Sequence, residues 1–268
     1  MDNKKYILLT FDVEEFDLPR EYKTDISEAE QMRIGLEGLR NVEAMLETLP
    51  HVKATLYTTG NFAQHFPDDI CRLSERHEIA SHSFFHSSFK DCHLLDSKLF
   101  LENITKQEVV GFRMPRFAPF NKALLKAAGF TYDSSLLPAW IPGRYNNLGK
   151  PLKPFPDHGV TEVPVSASPW FRIPLFWLAF KNFNYGFYKY LCRRTLKKTG
   201  FLNLYFHPWE FANLSDVRIP KYLKRIHGEK LTQRLQKLLQ ELSGNNAEFI
   251  KTKDFVKIIQ ERKQEIAA

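Results

Sequence analysis

Cysteine is scarce in this chain. Cys71, Cys92 and Cys192 are the only three in 268 residues, odd in number, widely spaced and without a C-x-x-C pair. This pattern suggests no disulfide framework and suits a reducing compartment. Long hydrophobic runs are also missing. The apolar run over 173–180 is far too short to span a bilayer. Only six mostly apolar residues precede Asp12, too few for a signal-peptide core. These absences point to a cytoplasmic protein. No Pro/Gly/Ser-rich linker, charge block or internal repeat divides the chain, so 1–268 reads as one domain with a sizeable core. The formal net charge is +7 and the pI about 9.2. No nucleic-acid motif accompanies that charge. It is spread along the chain, and solubility accounts for most of it.

What is present is an alternation of apolar patterns. Strand-like runs occupy 6–11, 52–58, 77–81, 109–112, 130–133, 160–165, 201–206 and a short stretch near Phe249. Helical spacing fills the intervals over 27–49, 62–76 (in pieces, broken near Pro67), 94–106, 121–128, 174–198 and 220–242, with a last helix to Glu265. Such alternation predicts a parallel α/β fold, and at this length a β/α barrel is the leading choice. A barrel places reactive residues at the C-terminal ends of its strands. Asp12, Glu14, His82, Arg113, Asp133 and His207 all fall there.

The run Ser81-His82-Ser83-Phe84-Phe85-His86 sets two imidazoles four residues apart. On a helical turn both face one side and reach one metal ion. The bland alternative is a helix surface with two solvated histidines. Small residues and Phe around the pair, and the strand-like run before it, argue for the metal. A third ligand is offered by Thr10-Phe11-Asp12-Val13-Glu14-Glu15-Phe16. A lone His stands in the apolar run Leu204-Tyr205-Phe206-His207-Pro208-Trp209-Glu210, where a core histidine is the commoner fate.

Together these segments resemble the polysaccharide deacetylase family, the NodB-homology or carbohydrate esterase family 4 group. Asp12-Val13-Glu14 looks like its acidic first motif, and Thr55-Leu56-Tyr57-Thr58-Thr59-Gly60 like its second strand. Ser81 to His86 resembles its metal motif, Arg113-Met114-Pro115 its R-x-P, Tyr132-Asp133-Ser134 its fourth motif and Phe206-His207-Pro208 its final one. The resemblance implies a distorted (β/α)7-type barrel and metal-dependent removal of N-acetyl groups from sugars. Glu14, His82 and His86 would hold a divalent ion, zinc first, with cobalt, nickel or manganese as alternatives. Asp12 would be the general base, Arg113 its orienting partner and His207 the general acid. Asp133 would hold His207 as an imidazolium; its bland reading is a turn or helix cap. Arg116, Phe117 and Trp209 are candidate substrate contacts.

Two departures from the family stand out. Its usual metal Asp is Glu14 here, with Glu15 as a rival ligand. Arg116 replaces the usual aromatic after the R-x-P proline, which would suit an anionic sugar. Residues 170–190 hold ten aromatics among basic residues, an insertion near 166–198. They suit a buried barrel helix, sugar stacking, or a peripheral contact with the inner membrane face. The expected partner is an N-acetylated glycan, polymeric or lipid-linked. The rival functions are a carbohydrate-binding barrel that has lost its metal, and hydrolysis of a non-sugar amide. The sequence does not address oligomeric state.

Overall fold

A computed structural model describes residues 4–244 and 246–267. Its first strand, β1 (Lys5–Val13), is buried along all but its first residue. A strand covered on both faces must be apolar throughout, which is why it reads as a continuous apolar run. The further strands are β2 (Ala54–Thr58), β3 (Glu78–Ser81), β4 (Gly111–Phe112), β5 (Tyr132–Asp133), β6 (Trp140–Ile141), β7 (Tyr145–Asn146), β8 (Phe155–Asp157), β9 (Val160–Glu162), β10 (Phe201–Phe206) and β11 (Ala247–Phe249).

The main sheet runs β10-β1-β2-β3-β4-β5-β9-β8, with β11 also on β1. From β10 to β9 every pairing is parallel, and β8 joins the edge antiparallel. The sheet curls until the chain after β9 meets β10. There the Ser166 N–H donates to the Asn203 carbonyl (2.9 Å), and the Asn203 N–H donates to Ser166 Oγ (2.8 Å). The seven-stranded distorted barrel expected from the sequence is therefore observed, with its irregular closure at Ser166.

Helix Glu28–Glu47 packs against the segment that follows β10. Ser27 caps it, its Oγ accepting from the Glu30 N–H at 3.2 Å. Gly35 and Gly38 let the helix ride directly on other backbone. A Cβ at Gly38 would stand 1.9 Å from the Pro208 carbonyl oxygen, and one at Gly35 would stand 2.9 Å from the Glu14 carbonyl oxygen. The two chain segments that carry chemistry are thus seated on this helix.

Three elements differ from expectation. The helix expected from 220 begins at Gly228. Carbonyls of 214–223 are taken by lysine side chains instead: Lys224 Nζ meets those of Leu214, Ser215 and Val217, and Lys181 Nζ that of Leu223. The stretch 174–198 splits into Trp177–Asn182 and Tyr185–Thr199, the second capped by Asn184 Oδ1. A small antiparallel hairpin, β6–β7, has no counterpart in the sequence reading; Gly143 gives its turn a left-handed φ of 76°.

Candidate active site

β1 ends in an apolar strand followed by acids, so its terminus delivers buried carboxylates to one end of the barrel. Asp12 and Glu14 are both 4% exposed. Next to them β3 delivers His82. The loop after it carries His86, with ring centroids 5.7 Å apart. The two histidines do not share a helical turn. Ser83 takes a left-handed φ of 66°, and its carbonyl accepts from Gly60 N–H (3.0 Å), tying the loop to the end of β2. The pairing that helical spacing suggested is made instead by a loop folded back on itself.

Glu14 Oε2 lies 3.1 Å from Nε2 of both His82 and His86. Each ring is fixed from behind. His82 Nδ1 lies 2.8 Å from the Arg113 carbonyl, and His86 Nδ1 lies 3.0 Å from Asp17 Oδ1. Both partners are acceptors, so both Nδ1 atoms must donate and both Nε2 lone pairs point at the same carboxylate oxygen. Neutral rings would place lone pair against lone pair. A cation, or a proton, must lie between them. Two imidazoles and one carboxylate whose donor atoms all fall within 4.8 Å of one another form the donor set of open catalytic zinc sites. The carbonyl and carboxylate behind the rings are the outer partners such sites use. Without a cation the charges polarise each other. Burial opposes ionisation of Glu14, but the histidines, His86 foremost, bring its pKa down to about 2. Burial likewise opposes a charged His86, but Glu14 and Asp17 carry it up to about 9.

Asp12 stands beside this cluster, its Oδ2 3.9 Å from His82 Nε2. Arg113 Nη1 holds the other oxygen at 2.6 Å. Arg113 is fully buried. Its remaining donors go to Thr10 Oγ1, Ser134 O and Ser134 Oγ, and its plane lies 3.9 Å over the Tyr57 ring. Burial disfavours its charge, yet Asp12 more than offsets this and holds the guanidinium above its ordinary value. One Asp12 oxygen is therefore fixed, and the other faces the histidines.

His207 closes the far side, Nε2 4.0 Å from Glu14 Oε1. Its Nδ1 meets Glu210 Oε1 at 3.0 Å, and Lys181 Nζ sits 2.8 Å from Glu210 Oε2. Burial works against protonation of His207, but Glu210 and Glu14 raise its pKa above the usual imidazole value. Burial lowers Lys181, with Glu210 opposing. Burial also favours a neutral Glu210, but Lys181 and His207 keep its pKa below the ordinary carboxylate value.

Asp12, Glu14, Asp17, His82, His86 and His207 line a cleft of about 260 Å³, with Phe117, Phe176, Trp177 and Tyr205 among its walls. Several sequence expectations need correction. Asp133 is not the partner of His207 and does not line the cleft. It is bonded to Lys122 (2.9 Å) and Ser135, so Glu210 fills the role assigned to it. Glu15 is no rival ligand: its carboxylate accepts from Thr59 Oγ1, Asn61 Nδ2 and the His86 N–H, holding the loop. Arg116 lines the cleft, but its guanidinium is committed to Asp17 (2.9 Å) and Glu21 (2.7 Å) and is not a free cation for an anionic sugar. Trp209 does line the cleft, but it is almost fully buried and its Nε1 donates to Glu14 Oε1 at 3.3 Å. Phe117 packs edge-on to Tyr205 at the wall. Sequence reasoning gave no role to Asp17 or Glu210, and treated Lys181 and Trp177 only as members of the aromatic and basic segment 170–190. Glu210 three residues after His207, and Lys181 as a lone cation in an apolar helix, were the available signals.

The family model of polysaccharide deacetylases matches residues 1–132. No curated protein matches the sequence. A crystal structure assigned to the polysaccharide deacetylases of Mycobacterium smegmatis is 19% identical, with a TM-score of 0.68 over 98% of this chain and 92% of that one. Puue allantoinase is 16% identical, with a TM-score of 0.65 over 95% and 90%. The Bc1960 peptidoglycan N-acetylglucosamine deacetylase is 15% identical, with a TM-score of 0.53 over 94% and 87%. At these identities the likeness is one of fold.

Proposed function

We propose that this chain, whose residues 1–132 match the polysaccharide deacetylase family model, is a zinc-dependent hydrolase that removes N-acetyl groups from an amino sugar in a glycan. The observation that carries the reading is the convergence of two oriented imidazole lone pairs on Glu14 Oε2, with Asp12 at their side. It argues against a barrel that has lost its metal through the Glu14 change.

Glu14, His82 and His86 would hold the divalent cation. When bound, that ion supplies the positive charge that acidifies a water and polarises the acetyl carbonyl. Asp12 Oδ2 takes the proton from the attacking water, while Arg113 fixes Oδ1 and so aims the carboxylate. His207, whose imidazolium form the Glu210 and Glu14 carboxylates favour, gives its Nε2 proton to the departing nitrogen. The products are acetate and a free amine. The aromatic walls suit the apolar faces of a sugar ring, and the small cleft takes one ring with its acetyl group while the rest of the glycan stays outside. The three unpaired thiols accord with a cytoplasmic setting.

The test is acetate release from a panel of N-acetylhexosamine oligomers and small non-sugar amides, with and without chelator. Release from the sugars, lost with chelator and in Asp12→Asn and His207→Ala, is expected. Turnover of the amides alone sinks the sugar reading.

A further inference from the structure

We propose that the tight turn at 168–173 docks this protein on an anionic lipid bilayer. In the helices of the aromatic segment Trp177, Phe180 and Tyr188 are buried, and Phe187 and Tyr190 are about half exposed. The most exposed rings come just before them. Trp170 is 74% exposed and Phe171 83%, the two most exposed large hydrophobic side chains among the described residues.

The turn beneath them is closed. Ser168 N–H donates to the Ile173 carbonyl (2.8 Å), Ile173 N–H to Ser168 Oγ (3.0 Å) and Arg172 N–H to the Ser168 carbonyl (3.1 Å). Arg172 Nη1 then donates to the Lys150 carbonyl at 2.9 Å, pinning the turn to the neighbouring loop. Two large rings are therefore held outward by ordered backbone rather than left there by a slack loop.

The flanking sequence carries charge of one sign, although Arg144, Lys181 and Lys189 pair with Glu21, Glu210 and Glu241 from elsewhere in the chain. The stretches 134–156 and 163–209 contain ten Lys and Arg and no Asp or Glu. Lys150 and Lys153, exposed beside the pinned turn, belong to this set. Aromatic rings at headgroup depth with cations toward phosphates fit an anionic bilayer surface. No helix among the described residues is long and apolar enough to cross it, so the contact is peripheral.

The turn leads straight into Phe176 and Trp177, which line the catalytic cleft. A protein docked through Trp170 and Phe171 presents the cleft mouth to the lipid surface, and its substrate class becomes a membrane-borne N-acetylated glycan. That last step rests on the deacetylase reading; docking itself does not.

Flotation of the full chain with vesicles tests it. Vesicles of equal parts phosphatidylglycerol and phosphatidylcholine are expected to carry the protein at low salt, and pure phosphatidylcholine vesicles much less. Trp170→Ser with Phe171→Ser should lower the partition coefficient roughly tenfold or more. Lys150→Glu with Lys153→Glu should lower it on anionic vesicles only. Acetate release from soluble oligomers is followed in parallel, and the aromatic variant should keep it, since neither ring lines the cleft. A native chain that releases acetate yet does not float with anionic vesicles overturns this inference alone; a native chain that floats yet releases no acetate overturns the deacetylase reading alone. A native chain that stays unbound, or that self-associates through the same rings in sedimentation, overturns docking.

Discussion

His86, as a ligand in the proposed metal site, must lose a proton before it can bind a cation. Its pKa of about 9 leaves it an imidazolium at neutral pH when no cation is present. Zinc binding below that value therefore releases one proton, and affinity should rise about tenfold per pH unit until the plateau is reached. At pH 7 the competition amounts to about two units, roughly a hundredfold in affinity. Asp17→Asn perturbs this in two opposed ways. It weakens the acceptor that orients the ring through Nδ1, a change that costs roughly 10–100-fold in metal affinity at comparable sites. It also removes a charge that holds the proton on His86, so the plateau comes at lower pH. The deficit should be largest on the alkaline plateau and smaller at neutral pH. Competition of zinc between the protein and a chelator of known affinity, run across pH for both proteins, measures it. An affinity that does not change with pH, or a variant matching the native protein on the plateau, refutes the reasoning.

Three further outcomes follow from the same geometry. Glu210→Gln removes the carboxylate that raises His207, so the alkaline limb of the kcat/KM profile should move to lower pH. Because it also strands buried Lys181, at about 3–5 kcal/mol, the double change with Lys181→Met should recover stability while keeping the shifted limb; an unmoved limb contradicts the acid role. Arg113→Met should cost about 3–5 kcal/mol in denaturant unfolding by leaving Asp12 buried without its cation, and adding Asp12→Asn should restore part of that loss. Equal midpoints for native and single variant would show the pair to be energetically idle. Gly38→Ala forces a Cβ to within 1.9 Å of the Pro208 carbonyl, so the segment bearing His207 must shift and kcat should fall with little change in zinc affinity. Unchanged kcat would mean that His207 is not positioned by this contact.

Much of this site could be read from the residues. Apolar strands ending in acids or histidine announce a barrel with its chemistry at one rim, and Asp12, Glu14, His82, His86, Arg113 and His207 meet there. What the sequence concealed was the second layer of contacts. Asp133 and Glu210 are both acids near strand ends, and only tertiary packing gives Asp133 to Lys122 and Glu210 to His207. Arg116 reads as an unpaired cation until Asp17 and Glu21, a hundred residues earlier, fold against it. The spacing of His82 and His86 suggested a helix because four residues make one turn. The left-handed Ser83 brings the rings together by another path that periodicity does not encode.

The most direct test is to titrate chelator-stripped protein with zinc, following acetate release from an N-acetylhexosamine oligomer alongside anomalous scattering from crystals of the loaded protein. Release should rise in proportion to zinc up to one ion per chain, with the anomalous peak bonded to Glu14, His82 and His86. Full turnover by the stripped protein, or a zinc peak away from these three side chains, would contradict the account.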